Sequence, residues 1–547
     1  MSLSFKITTS SAPAHGPSFL AQWIAEVLCA DEADRDAAAD AAVGAEAVFA
    51  GQLACVARLF LELAGIPVFD LPEVVSIAAE PARAGNLVIE LRFLESGLIA
   101  RNAYLHAIRF AAAKCELLAR TPVSDTAKEN LFAEIEQQIV APAQRTLLFG
   151  KSTMQILRGA HRLGIPFMHL GAGVYQFGWG SKARRMERSM GDRDSAIAKR
   201  FVASKAIAAG LMRMAGLPAP VHLVVSAVGE LSGAAARLGF PLVVKPADGG
   251  RGEGVAVDID NAQVLASAFE AARLVSPTGQ VIVERQVAGV CHRLFIANGK
   301  LLYAVKRLPM SVEGDARHSV AELIDRARAK EGRLPPWRRS PVPVLDEAAL
   351  HAMRQAGWHS DSVPGAGVLV PLRRIESTQW GGVDEDVTAR LHPENLAVAL
   401  RAAQIVGLDI AGVDMISPDV AVPWFDNSAI INEVNIGPLL GGGEISRRHI
   451  PDFFRDFIEG DGNIPVETFT GDQAWEAARR RQGDYVQRGL RCFMTSAGHT
   501  LDQDGKPVVM RLTRLADRER ALLCRADVDA LLIVEEQPVP SGAYVAP

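Results

Sequence analysis

The stretch that most constrains this chain is LVVKPADGGRGEGVAV, residues 242–257. It opens as an apolar, β-branched run and ends that run on Lys245-Pro246. It then places Gly249, Gly250, Gly252 and Gly254 close together. A lysine at the end of a buried strand is costly unless its charge is met. Glycines directly after it let backbone N–H groups approach an anion. The pattern reads as strand, phosphate-approaching loop, strand. A glycine-rich loop by itself has low specificity, so the surrounding residues must carry the rest.

Those surroundings read as α+β. HLVVSAVGE (222–230) is a strand leading into a helix, and QVIVERQVAG (280–289) is another strand. RLFIANGKLLYAVKRL (293–308) reads as a hairpin turning at Asn298-Gly299. LDIAGVDMISPD (408–419) and AIINEVNIGP (429–438) form a second strand pair. The antiparallel pairs exclude the regular βαβ rhythm of a doubly wound sheet. Within the last pair, Glu433 and Asn435 stand two apart, so alternation puts them on one face. With Asp414 they make three oxygen-bearing side chains on paired strands, a set that suits Mg2+ better than an apolar interior.

Composition removes other classes. The chain has 547 residues, room for about three or four domains. Lys and Arg number 58 against 63 Asp and Glu, a net charge of −5. That argues against binding a nucleic-acid backbone. The six cysteines include no CxxC pair and read as buried thiols in a reducing compartment. No run of 18 apolar residues and no signal-like N-terminus occurs, so the expectation is a cytoplasmic protein without a membrane partner.

Strings in order along the chain resemble the ATP-grasp ligases, most closely the first catalytic half of the cyanophycin synthetase family. They include YQFGWG (175–180), GDRDSAIA (191–198), SKAIAAGLMRMAGLPAP (204–220), FPLVVKPADGGRGEGV (240–255), HRLFIANGKLLYAVKR (292–307) and INEVNIGP (431–438). The resemblance implies an α+β, ATP-grasp fold, two α+β subdomains gripping ATP. An α/β N-terminal domain would precede it at 1–160 and a small truncated α/β remnant would follow. The ligase domain would run over 161–455, with a lid or surface insertion at about 309–390.

The resemblance also implies roles. Lys205 and Lys245 would contact ATP phosphates beside Gly249, Gly250, Gly252 and Gly254. Glu284 would lie at the hinge that reads adenine, and Arg293 and Arg307 near the transferred phosphate or the acyl phosphate. Asp414, Glu433 and Asn435 would hold Mg2+ or Mn2+. The chemistry is ATP-dependent joining of a carboxylate and an amine from amino-acid or peptide-like substrates, through an acyl phosphate. A homo-oligomer and a partner ligase are expected. The rival reading is a non-catalytic or regulatory subunit of a full-length synthetase. Lys245→Ala is expected to abolish turnover while leaving the fold intact.

Two further stretches imitate nucleotide sites. GKST at 150–153 ends like a Walker A motif, but Arg145 stands where the first glycine belongs. In 464–496 the chain resembles the opening of a Mur-ligase-like domain, strand, loop, helix, strand. The loop reads TGDQAWEA and lacks the lysine and hydroxyl of a phosphate loop. Residues 456–547 are therefore expected to form a separate, truncated Mur-ligase-like segment without an ATP site.

Overall fold

The computed structural model describes residues 2–10, 19–28, 44–83, 85–146, 150–248, 252–374, 376 and 381–535. It divides into two compact units, Met1–Arg188 with Phe454–Pro547, and Ser189–Phe453.

The first unit begins with β1 (Ser2–Ser10), α1 (Ala45–Leu63), β2 (Glu73–Ala79), β3 (Asn86–Leu94) and α2 (Arg101–Leu118). The strands form an antiparallel sheet in the order β1-β3-β2. Along β3 the sequence alternates, and Leu87, Ile89, Leu91 and Phe93 are buried one after another. This is the period-2 pattern of a sheet with one covered face. Helix α3 (Thr153–Arg162) follows, and then β4 (Phe167–Gly171), β5 (Val174–Phe177) and β6 (Arg184–Glu187) form an antiparallel meander.

The second unit holds two antiparallel sheets. After α4 (Lys205–Met214) come β7 (His222–Val225), α5 (Leu231–Leu238), β8 (Leu242–Pro246), β9 (Ala256–Ile259), α6 (Ala262–Val275) and β10 (Val281–Arg285). Their strand order is β9-β8-β10-β7. Leu238, Leu242, Val244, Phe269 and Val283 are packed together in their core.

The chain continues as β11 (Val290–Ala297) and β12 (Lys300–Leu308). Asn298 and Gly299 turn between them with positive φ values of 51° and 72°, as the sequence predicts for a tight hairpin. An excursion then contains β13 (Ser311–Glu313), α7 (Val320–Gly332), α8 (Glu347–Gln355) and β14 (Leu369–Pro371). Ser319 and Glu322 form a capping box at the start of α7. Val312, Val320, Ile324, Met353, Val370 and Leu372 give the excursion its own core, so it is a folded insertion.

Next come β15 (Val383–Asp386), α9 (Pro393–Val406), β16 (Ile410–Ser417) and β17 (Ile430–Ile436). The second sheet runs β15-β12-β11-β16-β17. Its apolar face, with Leu294, Val413, Met415 and Ile431, packs on α9 and α4. The opposite face is left for polar chemistry.

The C-terminal stretch forms β18 (Val466–Thr470), α10 (Ala474–Gln487), β19 (Cys492–Thr495), β20 (Thr500–Leu501), α11 (Leu515–Leu523) and β21 (Ala530–Glu535). β21 lies parallel between β18 and β19. The order strand, loop, helix, strand over 466–495 is as the sequence predicts. The expected separate C-terminal unit differs from the division found, in which this stretch belongs to one unit with residues 1–188. The reason is a shared core: Met168 and Trp179 from the meander region are buried with Ile464, Phe493, Leu523, Leu531 and Ile533. Gln176 Nε2 also donates to the Leu523 carbonyl at 2.9 Å.

Among the described residues no helix is long and apolar enough to cross a membrane.

Candidate active site

The polar face of the β15-β12-β11-β16-β17 sheet is assembled by register. Arg293 lies opposite Asp414, and Asp414 opposite Glu433. One step along, Gly412 lies opposite Asn435. Three strands therefore bring Arg293, Asp414, Glu433 and Asn435 to one patch, although they are far apart in the chain. The carboxamide Nδ2 of Asn435 is 3.2 Å from both Asp414 Oδ2 and Glu433 Oε1. Glycine at 412 matters here, because a Cβ would fall 2.9 Å from Pro438 and 3.1 Å from the Arg293 side chain.

The two carboxylates share little water. Asp414 is buried, which works against its charge. The Arg293 guanidinium outweighs that burial and holds the carboxyl below its ordinary range. Arg293 grips it with two bonds, Nε to Oδ1 and a second nitrogen to Oδ2 at 2.7 Å. Glu433 is pushed up, first by burial and then by the Asp414 charge beside it. The Lys205 ammonium and the Arg293 guanidinium act against that rise. With the Asn435 amide turned over so that its oxygen faces the two carboxylates, the three side chains would make a donor set that fits a hard divalent cation such as Mg2+. Among the described residues no group of three or more His, Cys, Asp or Glu side chains is arranged for a metal, so a site here depends on the amide of Asn435.

Two lysines face this patch from other elements. Lys205 is the first residue of α4, after the cap residue Ser204, whose hydroxyl accepts from the Ile207 N–H. A cation at a helix N-terminus opposes the helix dipole, so local preference does not explain it. Burial lowers its pKa, while Glu433 acts to raise it. Lys245 stands just before the last residue of the buried strand β8 and donates to Glu284 Oε1 at 2.8 Å. It also reaches Asn432 Oδ1 at 3.4 Å.

That last contact has a structural cause. Ile431 pairs with Met415 and Glu433 with Asp414, so Asn432 is the extra residue of a β-bulge. The bulge lets the Asn432 and Glu433 side chains both serve this face. Strict alternation in the sequence sends Asn432 away from it.

Glu284 is a buried strand residue paired with Lys245, both being under a tenth exposed. Glu284, which the resemblance places at an adenine-reading hinge, carries the carboxylate that is the counter-ion of Lys245. Because of this pairing, Lys245→Ala is expected to leave Glu284 buried without its counter-ion, at a cost to stability.

Arg307 lies directly across from Asp384 on the edge strand β15. The Cys291 thiol, on the same face, feels Asp414, Glu376, Arg307 and Arg293, and its burial pushes its pKa up. Gly252 and Gly254 both take positive φ, the backbone region that favours glycine. Gly249 and Gly250 lie outside the described residues. Glu253 is exposed and points its charge to solvent.

The two imitations behave differently. In GKST, the Gly150 N–H donates to Thr153 Oγ1 at 3.1 Å, an ordinary turn into α3. Lys151 is exposed. The TGDQ loop joins β18 to α10, with Gly471 at φ 91°.

Residues 204–293 match the family described as "Carbamoyl-phosphate synthase L chain, ATP binding domain". The chain is 32% identical over 351 residues to cyanophycin synthetase of Trichormus variabilis, covering 62% of this chain and 39% of that protein. It is 34% identical over 338 residues to cyanophycin synthetase of Crocosphaera subtropica, covering 60% of this chain and 38% of that one. The chain thus spans about two-fifths of the length of the curated relatives it matches. The crystal structure of a bifunctional glutathione synthetase from Pasteurella multocida overlays with a TM-score of 0.43 at 22% identity, covering 64% of this chain and 52% of that one. The two antiparallel sheets of residues 189–453 give this unit the α+β class that the sequence predicts, and the family match lies within it.

Proposed function

We propose that this ATP-grasp domain joins a carboxylate to an amine, using ATP and an acyl-phosphate intermediate. The observation that supports it most is the convergence of two carboxylates, Asn435, Lys205, Lys245 and Arg293 on one sheet face. Cations are needed where a triphosphate binds, and oxygen ligands where its divalent ion binds. Asp414, Glu433 and Asn435 would hold Mg2+, with Mn2+ as the alternative, and the bound ion would neutralise charge on the transferred phosphoryl group.

Lys205 and Lys245 bind the phosphates, and Glu284 keeps Lys245 aimed from its strand. Arg293 holds Asp414 in place through two bonds, which orients the remaining lone pairs of that carboxylate. Arg307 receives the substrate carboxylate. ATP transfers its γ-phosphoryl group to that carboxylate, and ADP departs. The amine then attacks the acyl carbon and phosphate leaves as the amide forms. The likeness to cyanophycin synthetases supports amino-acid or peptide-like substrates. The same reading has a single ligase centre, in a homo-oligomer that works alone or with a partner ligase.

A screen for ADP and phosphate release over amino acids and dipeptides, with and without Mg2+, tests this. Release that needs a carboxylate–amine pair and Mg2+ is expected. MgATP binding without release for any pair would favour the regulatory-subunit reading.

A further inference from the structure

Arg307 and Asp384 remain after the metal patch and the lysines are assigned. They face each other across the β12–β15 ladder, in the row next to the one containing Arg293, Asp414 and Glu433. Val305 pairs with Arg293 on the neighbouring strand, so Arg307, two residues on, shares the face of Arg293 by alternation. Asp384 is exposed by surface area, yet the protein packed around its carboxyl raises its pKa, against the pull of Arg307 and Arg293. Arg307 and Asp384 are cross-strand neighbours of opposite charge, yet no ion pair or hydrogen bond joins them among the described residues. Neither has another side-chain partner there.

Opposite charges on facing positions normally close on each other or are solvated separately. Held apart on the site face, they form a receptor with a cation and an anion side by side. An α-amino acid has the complementary pair, a carboxylate and an ammonium separated by one carbon.

We propose that Arg307 and Asp384 together hold the zwitterionic head of the acid substrate, its reacting carboxylate on Arg307 and its free ammonium on Asp384. This rests on the ligase reading above and adds the substrate class. The acyl donor is an amino acid with an unblocked amine, and simple carboxylic acids and N-acylated residues are poor donors. Asp384 acts in recognition and takes no part in phosphoryl transfer.

The test compares the twenty L-amino acids with their N-acetyl derivatives as acyl donors, in Mg2+-dependent ADP release by the full chain. The wild-type protein is expected to prefer the free amino acid by at least tenfold in kcat/KM. Asp384→Asn is expected to raise KM for that amino acid about tenfold and to leave KM for ATP within twofold. It should also largely erase the discrimination against the N-acetyl form, and Asp384→Glu should restore part of it. Equal use of acetylated donors by the wild type, or an unchanged KM in Asp384→Asn, overturns the proposal. Calorimetric titration with MgATP and with the same amino acids separates this from failure of the ligase reading. Amino-acid binding that Asp384→Asn weakens, without ADP release, would keep the receptor and reject the ligase. Nucleotide binding with no amino-acid binding would reject the receptor.

Discussion

β8 and β18 both run into a loop that begins a turn of the chain at glycine, yet their surroundings differ. β8 is buried along its length and carries Lys245 just before its last residue, the lysine's charge being met by Glu284 from the neighbouring strand. A second sheet in the same unit adds Asn432 and, through the bulge, Glu433. β18 is half-exposed, and the loop after it is only Gly471, Asp472 and Gln473 before α10 begins at Ala474. The nearest charged cluster there is closed on itself: Arg481 pairs with Glu467 at 2.7 Å, and the Tyr485 hydroxyl donates to the same carboxylate. α10 instead buries Ala474, Ala478 and Tyr485 with Met494 and Leu532. A glycine turn after a strand is thus common architecture. A phosphate-binding function needs cations and oxygen ligands brought from several strands.

Breaking the β8 side should have the largest effects. Glu433→Gln removes an anionic donor from the patch and is expected to lower ADP release at least a hundredfold. Chelating the divalent ion should do the same, and wild-type rates in either case would remove the assignment. Lys245→Ala should abolish turnover and also destabilise. Removing one partner of a buried ion pair costs about 3–5 kcal/mol, measurable by denaturant unfolding. The double variant Lys245→Met with Glu284→Gln should recover most of that stability and none of the turnover. Recovery of turnover would mean that Lys245 serves the fold alone.

On the β18 side the expected effects concern stability. Leu531→Ala, in the core shared with Trp179 and Met168, should cost about 2–5 kcal/mol. ADP release per folded molecule should stay the same. Deleting 460–547 should cause aggregation by uncovering Trp179 and Met168. Equilibrium titration of the intact chain should show one ATP per chain, and a second ATP lost with the deletion would overturn the contrast. The smallest effect is expected for Lys151→Ala, with turnover within twofold, since that lysine is exposed on a turn.

Much of the site is legible in the chain because its parts obey local rules. Asn298-Gly299 marks the hairpin, and the two-residue spacing of Glu433 and Asn435 puts them on one face. Asn432 is not legible, because a bulge reverses the alternation that a strand pattern assumes. Asp384 is not legible either: VDED at 383–386 reads as a solvated acidic run until the ladder sets it opposite Arg307. The partnership of Lys245 with Glu284 joins residues 39 apart through strand pairing.

By itself the sequence determined the element types, the hairpin, the glycine-rich string after a lysine near a strand end, and the lack of a lysine in the TGDQ loop. These depend on backbone preference and on periodicity within a few residues. Only the tertiary structure decided which charges meet. Strand order and register set Arg293 on Asp414, Lys245 on Glu284 and Arg307 across from Asp384. They also joined the C-terminal strands to the core of residues 1–188. Such pairings depend on which distant segments bury apolar area together, and no local pattern encodes that choice.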